Sequence, residues 1–173
     1  QKQWDKAGKI AVQASQRNVD LADGAFFRGD LAYAQNRFEE AVAEYETGLN
    51  ARPVYSNGWR RLADAQAKMN RPQQALEAYQ HALEQQPNNI RALSNLSIVE
   101  TGIGRFNDAR EHALEAYRYN QSNMFLFENY LQLEQAHGDL NLALNLRQQL
   151  AKAQPDNSSN QRSIAALLSR LER

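Results

Sequence analysis

The sequence predicts an all-α fold built as a stack of paired helices, and three observations predict it. The first is repetition with a period of 34 residues. Arg37-Phe38-Glu39-Glu40-Ala41-Val42-Ala43-Glu44-Tyr45 returns as Arg71-Pro72-Gln73-Gln74-Ala75-Leu76-Glu77-Ala78-Tyr79, then as Arg105-Phe106-Asn107-Asp108-Ala109, then as Asp139-Leu140-Asn141-Leu142-Ala143. The second is composition: Ala, Leu, Glu and Gln dominate, and no stretch alternates apolar and polar residues as a half-buried strand does. The third is punctuation, with Pro53, Pro87 and Pro155 at one place in the period and Asn36, Asn70, Gly104 and Gly138 at another. A constant period of this length marks one supersecondary unit stacked on copies of itself.

Taken in order, residues 1–21 read as the second helix of an incomplete repeat. Trp4-Asp5-Lys6-Ala7 lies one period before Phe38-Glu39-Glu40-Ala41, and Ala11 and Ala14 lie one period before Tyr45 and Gly48. Full repeats follow at 22–55, 56–89, 90–123 and 124–157, each a pair of helices. Asn36, Asn70, Gly104 and Gly138 fall in the turn inside each pair, where these residue types make a left-handed backbone cheap. Proline closes the second helix because it has no N–H to donate. Residues 158–173 read as a capping helix: Ile164, Leu167, Leu168 and Leu171 continue the apolar stripe, and Arg162, Arg170, Glu172 and Arg173 give a polar outer face. The count starts in mid-repeat and the chain starts with Gln1. This is read as an excerpt of a longer protein, against a self-contained domain with a single capping helix.

Repeat two carries Gly58-Trp59-Arg60-Arg61-Leu62-Ala63, with Ala75, Tyr79, Ala82 and Pro87 behind it. This resembles the tetratricopeptide repeat family, whose pattern is Trp, Leu-Gly, Tyr, Ala, an aromatic, Ala and a closing Pro. The resemblance covers nearly the whole chain, four times in register. It implies one domain, 1–173, wound as a right-handed superhelix of antiparallel helix pairs, with first helices lining a concave face and second helices a convex one. The small residue of the first helix is Gly29, Ala63 and Ser97, then Leu131; the aromatic of the second is Tyr45 and Tyr79, then Ala113 and Arg147; Gln121 replaces the third proline. The later repeats depart from the pattern.

Twenty basic and twenty acidic side chains cancel, which argues against a basic surface for nucleic acid. No apolar run approaches membrane-spanning length, and cysteine is absent, so thiol chemistry is excluded and the redox compartment is not revealed. A cytoplasmic, a periplasmic or a membrane-associated parent protein all fit. His81, His112 and His137 lack a second ligand at zinc spacing; His112, between Glu111 and Glu115, is read as part of a solvated helix face. No phosphate loop, nucleophile elbow or metal cluster is present, so no cofactor is expected and the chain is read as a non-enzyme.

Function is then expected on the groove, at positions two, five, six, nine and thirteen of each repeat. Position six gives Phe27, Arg61, Asn95 and Asn129; position nine gives Asp30, Asp64, Ile98 and Gln132; position five places Phe26, Arg60, Ser94 and Glu128 beside them. The Asn95 and Asn129 amides can donate to and accept from a peptide backbone, as in some proteins of the family, against a merely solvated consensus position. Arg60, Arg61, Lys68 and Arg91 suggest an electropositive stretch for an acidic segment or a carboxylate, partly balanced by Asp64. Phe26, Phe27 and Tyr33 are read either as aromatic anchors at the groove mouth or as packing against an upstream helix or Trp4, with packing preferred.

These features predict a protein-interaction scaffold that holds a partner segment in its concave groove. Two alternatives stand beside it: a structural arm of a larger bacterial envelope or glycan-handling protein, and self-association through the array ends, where Trp4 lacks an upstream cover.

Overall fold

The computed structural model describes residues 21–172, which form helices α1 (Leu21–Ala34), α2 (Phe38–Ala51), α3 (Ser56–Lys68), α4 (Pro72–Gln85), α5 (Ile90–Gly102), α6 (Phe106–Tyr119), α7 (Met124–His137), α8 (Leu140–Ala153) and α9 (Ser158–Leu171). No strand occurs among the described residues. The expected helix over 1–21, with Trp4, lies outside them.

The helices pack as successive hairpins, and each hairpin packs on the next. The repeating alanine explains how. Ala41, Ala75, Ala109 and Ala143 are each completely buried, so the second helix of every pair meets its neighbours at a point where only a methyl group fits. Opposite them, size is traded across the hairpin. Gly29 faces Tyr45, and a Cβ there would lie 2.4 Å from the Tyr45 ring. In the last full repeat the same two positions hold Leu131 and Arg147, both buried, so the departure from pattern moves bulk to the first helix without opening the core.

The turns show which residues need their conformational freedom. Asn36, Asn70 and Gly104 have φ of 60°, 55° and 82°. After each, the next N–H closes a six-residue loop onto a first-helix carbonyl: Arg37 to Ala32, Arg71 to Gln66, Arg105 to Glu100. Gly138 departs from the expected left-handed turn, with φ −119° and ψ −144°. The cause is Glu134. The Asp139 N–H, which should bond the Glu134 carbonyl, bonds its side-chain Oε2 instead at 3.1 Å. Glycine remains necessary at 138 because a Cβ would lie 2.0 Å from that carboxylate.

Helices α2, α4 and α8 each stop two residues before a proline, and the pre-proline residues Arg52, Gln86 and Gln154 share φ near −140° with ψ between 72° and 87°. Asn120 adopts the same backbone, φ −147° and ψ 80°, although Gln121 follows it. The joint is therefore dictated by packing, and proline reinforces it. At the C-terminal end α9 buries Leu167 against α8 but leaves Ala165, Leu168 and Leu171 exposed.

First helices approach one another across hairpins, α1 against α3 and α3 against α5, and no two successive second helices pack to that extent. The stack therefore curves with the first helices inside.

Candidate functional site

On the inner face the same polar unit is built twice, 34 residues apart. Tyr45 on α2 donates its hydroxyl to Asp30 on α1 at 2.9 Å, and Tyr79 on α4 donates to Asp64 on α3 at 2.6 Å. Burial, together with the adjacent carboxylate, pushes both phenols above their ordinary value. Each aspartate then receives the position-six side chain of the following repeat. Arg61 reaches back to Asp30 at 3.2 Å, and Asn95 donates its amide to Asp64 at 2.8 Å. Asp64 also pairs with Arg60, one turn before it on α3. In the next repeat Asn129 donates to Ser97 Oγ at 2.8 Å. Position six is thus a row of cross-repeat links, which fix how one repeat sits on the next.

These links change the meaning of several expected groove residues. Arg60 and Arg61 are not an open electropositive surface, because each is neutralised by an aspartate. Lys68 and Arg91 are exposed and make no ion pair among the described residues. At position five Phe26 and Ser94 are buried, while Arg60 and Glu128 are partly buried and paired with Asp64 and Arg147. Phe26 is no anchor for a partner, since it packs forward onto Tyr55 at a ring distance of 4.9 Å and closes against Gly48 and Gly58. Phe27 is exposed, Gln132 is exposed, and Tyr33 is half-buried with its ring edge on Phe38.

A cavity of about 520 Å³ opens on this face between α1, α3 and α5. Asp64, Asn95 and Tyr79 form its polar wall, Ala67, Val99 and Ile103 its apolar wall, with Tyr33, Lys68 and Ile98 also in its lining. Because Asp64 is satisfied by three donors, the wall presents little free negative charge, and Lys68 supplies an uncompensated positive one. The sequence does not single out this apolar wall. Val99 and Ile103 fall at helical spacing from Leu96, which does not distinguish a pocket wall from core.

The solvated reading of His112 is corrected. It is half-buried on α6 and its Nδ1 lies 2.8 Å from Glu100, a buried carboxylate on α5. The hydrogen bond to Glu100 raises its pKa above the usual imidazole value of 6.5. His137 is the last residue of α7 and stacks on Phe106 at 3.5 Å, and His81 lies against Trp59. No group of three acidic, histidine or cysteine side chains suited to a metal ion occurs among the described residues.

A family profile described as tetratricopeptide repeat matches residues 26–90 and 60–125, which together span more than half of the 173 residues. The chain belongs to the tetratricopeptide repeat family. Among related proteins, a peroxisomal targeting signal receptor of Candida albicans is 33% identical over 112 residues, 64% of this chain and 19% of the receptor. The human superkiller complex protein 3 is 39% identical over 80 residues, 46% of this chain and 5% of that protein. The chain spans only 15–19% of the length of the peroxisomal receptors it matches. Among solved structures, MamA superposes with a TM-score of 0.77 at 15% identity, over 87% of this chain and 82% of MamA. The first repeat domain of Spaghetti (RPAP3), bound to the HSP90 peptide SRMEEVD, gives 0.65 at 16% identity, over 67% of this chain and 92% of that one. These likenesses extend the helical solenoid to both. No helix among the described residues is long and apolar enough to cross a membrane.

Proposed function

We propose that this chain is a protein-interaction scaffold whose inner face, at the cavity between α1, α3 and α5, holds an extended partner segment with an acidic group beside an apolar side chain. The observation that carries this reading is the cavity itself: an apolar wall of Ala67, Val99 and Ile103 next to an unpaired Lys68 and a fully neutralised Asp64. An apolar side chain fits the wall, and Lys68 offers a charge-assisted hydrogen bond to a carboxylate. Asn95 spends an amide hydrogen on Asp64 and keeps its carbonyl oxygen for a peptide N–H. Arg91 extends the positive charge along α5. The structurally similar RPAP3 domain holds an acidic peptide, and the similar yeast proteins are receptors for a targeting signal; both support a peptide in the groove.

The test is fluorescence polarisation of a labelled SRMEEVD peptide against its SRMQQVN counterpart. Lys68→Ala is expected to weaken the acidic peptide about ten-fold, the worth of one charge-assisted hydrogen bond, with less effect on SRMQQVN, which keeps only its C-terminal carboxylate. Equal binding of both peptides, or no change in Lys68→Ala, would overturn the acidic-segment reading. Arg60 and Arg61 are poor test positions because their loss breaks internal ion pairs.

A second reading, self-association at the C-terminal end, is supported by the exposed Ala165, Leu168 and Leu171 on α9. Concentration-dependent sedimentation that disappears in Leu168→Glu would establish it, and a concentration-independent monomer would end it.

A further inference from the structure

A second pocket, of about 340 Å³, lies on the other side of the stack, between the second helices α2 and α4 with α3 as its floor. Its lining differs in kind from the inner cavity: Glu46, Glu77, Trp59 and Gln66, with His81 against Trp59 and held by Glu84. Neither Glu46 nor Glu77 has an ion-pair partner among the described residues. Gln66 is 8% exposed, and its buried Oε1 accepts no hydrogen bond.

The repeat shows what this position is built for. One period after Gln66 stands Glu100 and one further stands Glu134, both buried. Each has a cationic or potentially cationic donor. Glu100 takes His112 from α6, and Glu134 takes the Arg110 guanidinium at 2.9 and 3.0 Å. In register, the place of His112 is occupied in repeat two by Ala78, which lines the pocket, and the place of Arg110 relative to Glu134 is occupied by Val42. Neither can donate. Repeat two therefore keeps the buried acceptor, lacks the internal donor, and has a pocket that the Gln66 side chain helps to line, with Oε1 itself turned away from solvent. A buried acceptor without a donor is costly, which favours a donor supplied from outside.

We infer that this pocket receives a basic side chain, lysine or arginine, from a partner polypeptide. Its charge would be met by Glu46 and Glu77, its aliphatic stem would lie along the part of Trp59 that His81 leaves open, and a turn of the Gln66 side chain would bring Oε1 to its head. An anionic occupant is opposed by both carboxylates, and an apolar one would leave Gln66 without a partner. The inner cavity shares none of these residues, so peptide capture there and cation capture here succeed or fail separately.

The experiment is an NMR titration of the full chain, ¹⁵N-labelled, with Nα-acetyl-arginine methylamide and with the isosteric, uncharged acetyl-citrulline methylamide. The arginine probe should produce saturable shifts of the Trp59 indole N–H and the Gln66 side-chain amide. Citrulline should bind at least about five-fold more weakly. Glu46→Gln with Glu77→Gln should weaken arginine about ten-fold, at about three-fold for each exposed ion pair, without altering the rest of the spectrum. Ala78→His, which copies the repeat-three residue, should fill the pocket and abolish the shifts. Equal binding of arginine and citrulline, or undiminished binding in the double glutamine variant, would overturn the assignment. Because Glu46 and Glu77 are exposed, that second variant decides the matter even if Ala78→His fails to fold.

Discussion

Asp30 and Asp64 occupy the same position in successive repeats and accept from the same tyrosine position, yet their surroundings differ, which makes them a controlled pair. The Asp64 and Arg60 side chains are 15% and 12% exposed, whereas those of Asp30 and Arg61 are 46% and 26% exposed. Replacing Asp64 by Ala strands the Arg60 charge and removes the acceptor of both Tyr79 and Asn95. Breaking a largely buried pair by deleting one partner costs about 3–5 kcal/mol, out of a total stability on the order of 10 kcal/mol. Asp30→Ala loses one tyrosine hydrogen bond and a solvent-screened ion pair, about 1–2 kcal/mol. Asp64→Asn, which keeps an acceptor for Tyr79 but removes the charge opposite Arg60, should fall between them. Urea unfolding of the full chain followed by far-UV circular dichroism measures all three, with the midpoint shift read at constant slope. Equal losses for Asp30→Ala and Asp64→Ala, or a loss below about 1 kcal/mol for Asp64→Ala, would refute the claim that Asp64 is the organising acceptor of the inner face.

Further expectations follow from single contacts. Gly29→Ala drives a methyl group into the Tyr45 ring and should cost about 1–3 kcal/mol, while Gly102→Ala, with nothing within 4 Å of the new Cβ, should gain about 0.5 kcal/mol; thermal melts of both compare them directly. Gln121→Pro should raise stability by about 0.5–1 kcal/mol in urea unfolding, because Asn120 already holds the pre-proline backbone. The raised pKa of His112 stabilises the fold when the imidazole is protonated. That contribution is full below the unfolded value of 6.5 and is lost as pH rises through the higher folded value. Wild type should therefore lose stability relative to His112→Gln as pH rises above the unfolded value of 6.5, and parallel curves would contradict the Glu100 pairing.

The sequence made the solenoid legible because its determinants are local and periodic. The alanine column, the Asn and Gly turns and the closing prolines each act within one repeat, so spacing alone reveals them. What it concealed depends on contacts between repeats. Arg61 looked like a free cation because Asp30 lies 31 residues away, and the Asn95 amide looked wholly free because Asp64, which takes one of its hydrogens, stands equally far off. Phe26 looked displaced from the apolar pattern, yet it is buried by two glycines, Gly48 and Gly58, whose role as a socket only the fold reveals. Gly138 kept its residue type but changed its reason, from backbone freedom to the bulk of the Glu134 carboxylate.

The concave-face account is tested most directly by titrating the ¹⁵N-labelled full chain with SRMEEVD and mapping which amides move. Shifts concentrated at Lys68, Asn95, Ile98 and Val99, lost together in Lys68→Ala, are the expected result. Shifts confined to the second-helix side around Glu46, Asn50 and Gln74, or saturable binding that leaves the inner face unmoved, would contradict it.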